Sequence, residues 1–224
     1  MLVAHLPLIL FSIDPHFMLV TPRRCEILSP PIRNKVWACL ATRLNIQKKV
    51  VQSIVKLDQP ITQYGRVCGL DGGDRMIGRH FVKESEDSRD SSYVRVEYFL
   101  SSYICFSEQS LLQYTQFVDQ HARHMRKTPD FEEENFFGQL GRILVLELPL
   151  TSTPKLGLAE PTTVIVAVIR EVKAKLTDGI YYYKEFGHDE IIDLESIQCV
   201  VGRIQNRGKW AIIDRSDSMV INVD

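Results

Sequence analysis

The chain lacks the features that mark several common classes of protein. Its five cysteines form no C-x-x-C pair and have no regular spacing, which argues against a secreted disulfide framework and against a zinc ribbon. The longest apolar stretch, residues 1–20, is interrupted by His5, Pro7 and Asp14 and is too broken to span a bilayer. The first basic residue is Arg23, whereas a secretory signal begins with a positive segment. We therefore expect an intracellular protein in a reducing compartment, without a membrane partner.

The sequence also lacks an excess of either charge. The 224 residues carry 27 Lys and Arg against 28 Asp and Glu, and their 45% apolar content is ordinary for a globular protein. The charge is nevertheless uneven, because residues 23–56 hold eight basic residues and one acidic residue, whereas residues 57–224 hold 19 and 26. A segment of net charge +7 thus precedes one of −7, and the basic segment is the part suited to contact phosphates.

Apolar residues recur every three or four positions in the basic segment, which predicts helices. Ser29-Pro30-Pro31 is a helix start, and Asn45 divides the segment into two helices of about a dozen residues each. The exposed face of these helices could contact nucleic acid, or it could be the solvated face of helices docked on an acidic β domain. The candidate nucleic-acid-binding residues are Arg23, Arg24, Arg33, Lys35, Arg43, Lys48, Lys49 and Lys56.

From Ile61 onward, short runs rich in Val, Ile, Tyr and Phe alternate with turn residues, which predicts an antiparallel sheet. The predicted fold class is α+β, with short basic N-terminal helices followed by a mostly antiparallel β-barrel-like or sandwich domain. Turns are expected at residues 71–74, 186–189 and 206–208. The predicted strands are residues 61–70, 75–82, 93–100, 136–148, 162–172, 180–184, 190–194, 197–204 and 209–213.

The chain carries no recognised catalytic motif. The glycine-rich residues 69–74 lack the Gly-Lys-Ser/Thr ending of a P-loop and predict a turn. His121 and His124 have helical spacing, but no third ligand is near and the flanking arginines oppose a cation. We therefore expect no enzyme, no cofactor and no metal site. An unrecognised acid site would require convergence of Asp71, Asp74, Asp87 and Asp90.

Three aromatic residues of the strand-rich half, Tyr181, Tyr183 and Trp210, are a candidate ligand cage. Converging aromatic rings can hold a methylated lysine by cation–π attraction. Alternation along a strand places Tyr181 and Tyr183 on one face and Tyr182 on the other, so at least one face is expected in the core. Both interpretations, a cage and a core, remain open from the sequence.

Five short sequence segments, taken in order, resemble those of a known family. They are DSRDSSYVR at 87–95, FFGQL at 136–140, EPTTVI at 160–165, QCVVGRI at 198–204 and WAIIDRS at 210–216. Together they resemble the C-terminal region of transposase-like proteins from CACTA-type (En/Spm-like) DNA transposons, in the form abundant in mushroom-forming fungi. The resemblance covers about residues 61–216.

In that family the DDE nuclease core, which cuts and joins DNA with metal-bound carboxylates, lies upstream of this region. The resemblance therefore implies a noncatalytic accessory module in the nucleus that binds DNA nonspecifically or binds its parent transposase. Two other interpretations belong to different classes: a chromatin-reading or protein-interaction barrel, and a nonfunctional transposon relic. No small-molecule substrate is expected.

The predicted boundaries follow from these patterns. Residues 1–22 form an N-terminal extension unlike the family, residues 23–58 a basic helical subdomain, residues 59–216 the β-rich domain and residues 217–224 a tail. Residues 98–116 interrupt the family pattern and contain one charged residue, Glu108. We hypothesise that they are a retained intron translated in frame. A spliced cDNA lacking these codons would support the idea, whereas finding unspliced transcripts alone would refute it.

Overall fold

A computed structural model describes residues 17–70, 74–81, 90–96, 117–119, 131–133, 135–148, 153–158 and 160–214. The proposed insertion at 98–116, the tail at 217–224 and the pair His121 and His124 lie outside the described residues. The helices are α1 (Pro30–Arg43), α2 (Lys48–Ile54) and α3 (Thr153–Leu156). None of the described helices is long and apolar enough to cross a membrane.

The strands confirm the mostly antiparallel α+β prediction, since all the strand pairs are antiparallel. They are β1 (Phe17–Glu26), β2 (Ile61–Gly69), β3 (Arg75–Ile77), β4 (Tyr93–Val96), β5 (Phe117–Asp119), β6 (Phe131–Glu133), β7 (Phe136–Leu148), β8 (Thr162–Val172), β9 (Lys175–Thr177), β10 (Ile180–Tyr183), β11 (Phe186–Asp193), β12 (Ile197–Val200), β13 (Gly202–Asn206) and β14 (Lys209–Ile213).

The largest sheet has eight strands and is organised around β7. Strand β8 pairs with one edge of β7 along most of its length, and β2 and β4 share the other edge. Strands β1 and β3 lie beside β2, β12 lies beside β4, and β11 lies beside β8. Because two strands share one edge of β7, the hydrogen-bonded path branches. Its outer strands β1, β3, β11 and β12 do not pair with one another within the described residues, so the sheet is open. Of the two predicted alternatives, barrel-like or sandwich, a closed barrel was therefore wrong.

The long apolar run in β8 is explained by burial of both faces of the sheet. Val164, Val166 and Val168 pack toward the helices, whereas Ile165 and Ile169 belong to the core on the opposite face. Successive residues of a strand point to opposite faces of the sheet. A strand that is buried on both faces is therefore apolar at nearly every position.

Helix α1 begins after Ser29 as predicted, with prolines in its first turn, where the backbone N–H groups have no helical acceptor. It is followed by Asn45, whose φ of 51° lies in the left-handed region that Asn tolerates. Val36 and Leu40 are fully buried in a core shared with the sheet. The second predicted helix is shorter than expected, with 7 residues in α2.

The N-terminal prediction needs correction. Residues 17–26 form β1, so residues 17–22 belong to the main sheet, and Arg23 and Arg24 lie on a strand rather than on a helix. The strand pairs with β2 from Phe17 opposite Gly69 to Glu26 opposite Ile61, a contact between distant parts of the chain that no local pattern reveals. The turn predicted at 186–189 was also wrong, because these residues lie within β11, where the register shifts.

A second, smaller sheet has the strand order β13-β14-β10-β9. Two tight hairpins build it, and both have positive φ at successive turn residues, Asp178-Gly179 and Arg207-Gly208. Such angles match the twist of two-residue hairpins, and the turn predicted at 206–208 is confirmed. One face of this sheet packs on the large sheet, where Tyr183 and Ile212 share a core with Phe137.

Candidate functional site

Two of the predicted cage residues, Tyr183 and Trp210, converge on a side chain of the protein itself. The Cζ atom of Arg203 lies 4.2 Å from the centroid of the Trp210 ring and 4.1 Å from that of Tyr93. The same guanidinium donates a hydrogen bond from Nη1 to the hydroxyl oxygen of Tyr183, at 3.2 Å. Arg203 therefore occupies the space between the rings that a methylated lysine would need.

The third predicted residue, Tyr181, contacts different neighbours. Its ring centroid lies 4.9 Å from that of Phe137, and its hydroxyl accepts a hydrogen bond from Nδ2 of Asn135 at 3.2 Å. The aromatic cluster around Arg203 is thus Tyr93, Tyr183 and Trp210. Sequence reasoning missed Tyr93 because it lies on β4, far from β10 along the chain, and missed Arg203 because the cage prediction considered only aromatic side chains.

Asp90 extends this cluster into a polar network. Its Oδ2 lies 3.1 Å from Nη2 of Arg203, and its Oδ1 accepts hydrogen bonds from the backbone N–H and the hydroxyl of Ser92. Gln139 donates to the Ser92 hydroxyl at 3.1 Å and accepts from Arg79 at 3.1 Å. Ser92 and Gln139 are buried, so their polar groups need these partners. The network ties the segment just before β4 to β7 and β13.

Tyr93 is held in its neutral form at the centre of the cluster. Burial raises the pKa of its hydroxyl well above the ordinary value, and a hydrogen bond with Tyr183 raises it further, against the lowering effect of Arg203. These contacts stabilise a neutral phenol beside a charged guanidinium, which is the arrangement of a packed structural cluster.

The two described carboxylates of the alternative acid site, Asp74 and Asp90, each have a different partner. The Asp74 carboxylate accepts the N–H of Val200 at 2.9 Å, whereas Asp90 is paired with Arg203. Asp71 and Asp87 lie outside the described residues. No group of three or more His, Cys, Asp or Glu side chains that could hold a metal ion occurs in the described part of the chain.

Three of the eight basic candidates make ion pairs, two of them across the packing of α1 on the sheet. Lys35 donates to Glu190 at 3.0 Å and to the carbonyl of Asp189, and Arg43 pairs with Asp193. These three partners lie on β11, so α1 docks on an acidic strand. The third candidate, Arg24, lies 3.8 Å from Glu26 and stacks over the ring of Phe81.

Three other candidates, Lys48, Lys49 and Lys56, are exposed and form no ion pair within the described residues. Lys56 shares the lining of a cavity of about 550 Å³ with Arg23 and Glu147. Arg23 itself makes one long hydrogen bond, to the hydroxyl of Thr62 at 3.5 Å. The eighth candidate, Arg33, is half-buried on α1. The free positive charge of the predicted surface is therefore concentrated on α2 and the adjoining end of β1.

The structure also assembles a basic cluster that the sequence did not reveal. A cavity of about 440 Å³ beside the small sheet is lined by Tyr182, by Glu185 and by four lysines, namely Lys173, Lys175, Lys184 and Lys209. The Nζ atom of Lys209 lies 3.6 Å from the centroid of the Tyr182 ring. These lysines are scattered through the acidic part of the chain, so counting charge by segment hid them. The alternation that turns Tyr182 outward was the available signal.

Comparison with known proteins adds no assignment to this geometry. No family model, no curated protein and no solved structure matches the chain.

Proposed function

We propose that the chain is a noncatalytic nucleic-acid-binding module, the accessory part of a transposable-element-derived protein that acts in the nucleus on DNA or with its parent transposase. The observation that supports it is the division of the basic residues. Lys35 and Arg43 dock α1 on the sheet, whereas Lys48, Lys49 and Lys56 are exposed and unpaired within the described residues. Unpaired lysines bind phosphates through release of counterions and need no particular base sequence.

The local chemistry of α2 supports the same proposal. Lys48 and Lys49 open the helix, and its first turn has no acidic residue. Positive charge at this end opposes the helix dipole and costs about 0.3–1 kcal/mol for each exposed residue. Lys48 and Lys49 therefore gain nothing from the helix dipole, and their charges face solvent, where they can contact phosphate.

The chromatin-reading alternative has less support. It would need an empty aromatic cage, and Arg203 fills the space between Tyr93 and Trp210. A nonfunctional relic would show no binding even at low salt.

The test compares two double variants that each remove two positive charges. Lys48→Gln with Lys49→Gln removes unpaired lysines, and Lys35→Gln with Arg43→Gln removes the docking cations. On random duplex DNA, the first pair should weaken binding and reduce the slope of log K against log salt by about 2, because each phosphate contact contributes about 0.9. The control pair should leave the slope unchanged. Equal slopes for the wild type and the first pair would refute this surface.

A further inference from the structure

We propose that the outer face of the small sheet is a second binding site for a short stretch of single-stranded nucleic acid, with one base stacked on Tyr182 and the neighbouring phosphates held by the four lysines. The inference rests on the proposed nucleic-acid function and names the form of the ligand. It concerns a surface separate from α2, built from β9, β10 and β14 with their flanking residues.

The strand register places one row of side chains across this outer face. Lys175 pairs with Tyr182, Tyr182 with Ala211, and Ala211 with Ile204. Paired residues in adjacent strands point to the same face, and Tyr181 and Tyr183 point to the opposite, packed face. Ile204 is 57% exposed, so the row ends in open solvent. The row thus offers a cation, an aromatic ring and aliphatic surface in sequence.

The charge around the cavity favours an anionic ligand. Of the charged side chains that line it, four are lysines and one is the acid Glu185, which leaves a net charge of +3. None of these lysines forms an ion pair within the described residues. Ammonium groups at this density suit phosphate, which each of them contacts as a point charge.

Tyr182 distinguishes a nucleic acid from other polyanions. Base stacking on an aromatic side chain contributes about 1–3 kcal/mol per base in single-strand binding and tolerates any sequence. The Nζ atom of Lys209 lies 3.6 Å from the ring centroid and covers one face of the ring, so a base must stack on the other face or displace this flexible side chain. Bases in a duplex are stacked on one another and cannot reach the ring. An acidic peptide without aromatic residues would use the lysines but not the tyrosine.

The concave shape of the site favours a nucleotide over a lipid surface. Interfacial binding uses apolar side chains that project into the acyl boundary, and Ile180, Ile204 and Ile213 are exposed on this sheet, so the vesicle probe below tests that alternative. Here the lysines ring a concavity of about 440 Å³, a size ordinary for a small-ligand site. A nucleotide can enter such a concavity from the side of the sheet.

The test uses the full chain and fluorescently labelled oligo-dT of about 12 nucleotides, with inorganic polyphosphate, polyglutamate and anionic vesicles as comparison probes. Tyr182→Leu should weaken oligo-dT binding by about 10-fold with an unchanged salt slope, and should leave polyphosphate binding unchanged. Replacing Lys173, Lys175, Lys184 and Lys209 together by Gln should reduce the single-strand salt slope by about 3. If that quadruple variant does not fold, Lys175→Gln with Lys184→Gln should reduce the slope by about half as much.

The outcomes separate this site from the α2 surface. A variant with Lys48, Lys49 and Lys56 replaced by Gln should lose duplex binding. Adding Tyr182→Leu to that variant should still weaken its binding to oligo-dT. If Tyr182→Leu binds oligo-dT as tightly as the wild type, the single-strand proposal is wrong even if duplex binding through α2 stands. Tighter binding to polyglutamate or to vesicles than to oligo-dT would overturn it in favour of an acidic protein or a membrane.

Discussion

At the scale of single residues, Arg203 joins the two larger sheets through several contacts. It stacks between Tyr93 and Trp210, donates to Tyr183 and pairs with Asp90. A planar guanidinium can make stacked and directed contacts together, whereas an ammonium group cannot. The cluster therefore depends on the shape of arginine as well as on its charge.

Arg203→Lys should consequently fail to replace arginine. We expect a loss of about 1–3 kcal/mol in the free energy of unfolding, because a charge-assisted hydrogen bond and a stacked contact are lost while the charge is kept. Urea unfolding followed by tryptophan fluorescence measures it. Arg207→Lys, at an exposed hairpin turn, is the control and should change stability by less than about 0.5 kcal/mol. Equal stability of the two variants would contradict the structural role of Arg203.

Cys39, on α1, should be chemically inert. Burial, together with the nearby Asp193 and against the opposing effect of Arg43, raises the pKa of its thiol to about 11. Because the thiolate is the nucleophile, we expect alkylation of Cys39 at pH 8 to be about 100-fold slower than that of the exposed Cys25. Mass spectrometry after timed iodoacetamide treatment resolves the two sites, and both should react alike in urea. Similar rates in the folded protein would contradict the burial of Cys39.

The same shift has a defined effect on stability. The pKa of Cys39 is higher in the folded state than the ordinary 9.0, so the native protein prefers the protonated thiol. Its contribution to stability is present below about pH 9 and is lost as the pH rises toward 11. Cys39→Ser should reduce this part of the alkaline loss of stability, measured by urea unfolding at pH 8 and pH 10.5. An identical alkaline loss in the variant would contradict it.

At the scale of elements, local signals predicted local structure well. The Ser29-Pro30-Pro31 start, the interruption at Asn45, β7, β8 and the turn at 206–208 were all readable, because capping, helical period and turn chemistry act over a few residues. Strand β1 was not readable, since its pairing with β2 spans distant parts of the chain. The turn wrongly predicted at 186–189 contains Gly187, and Gly187 lies against the side chain of Glu171. The sequence alone does not distinguish a glycine that lies within a strand, beside a neighbouring side chain, from a glycine in a turn.

Gly138 in β7 is a glycine that close packing against the neighbouring strand requires. A Cβ atom added there would overlap Cγ2 of Ile169 on the neighbouring strand and lie 3.3 Å from the carbonyl oxygen of Arg170. Gly138→Ala should therefore cost about 1–3 kcal/mol in the free energy of unfolding. Gly202→Ala is the matched control, because its added Cβ would make only ordinary contacts, the nearest at 3.6 Å to Ile213. Thermal and urea unfolding of both variants measure the difference, and equal costs would contradict the packing explanation.

At the scale of the whole molecule, the candidate surfaces were only partly readable from the sequence. The net charge of the basic segment drew attention to eight residues, but pairing across the α1–β11 contact decides which of them are free, and pairing is a tertiary property. The cluster of lysines around Tyr182 was not predicted, because the small sheet brings together lysines that are separated in an acidic part of the chain. The family resemblance to transposase-like proteins stays a prediction.

The most direct test of the account is salt-titrated binding of the wild-type chain to random-sequence duplex DNA, followed by fluorescence anisotropy. With Lys48, Lys49, Lys56 and Arg23 each contacting one phosphate, log K should fall against log salt with a slope of about −3 to −4. Affinity in the micromolar range at 50 mM salt should then weaken roughly 100-fold by 200 mM. No binding at the lowest salt, or binding that salt does not weaken, would contradict the proposal that this molecule acts on nucleic acid.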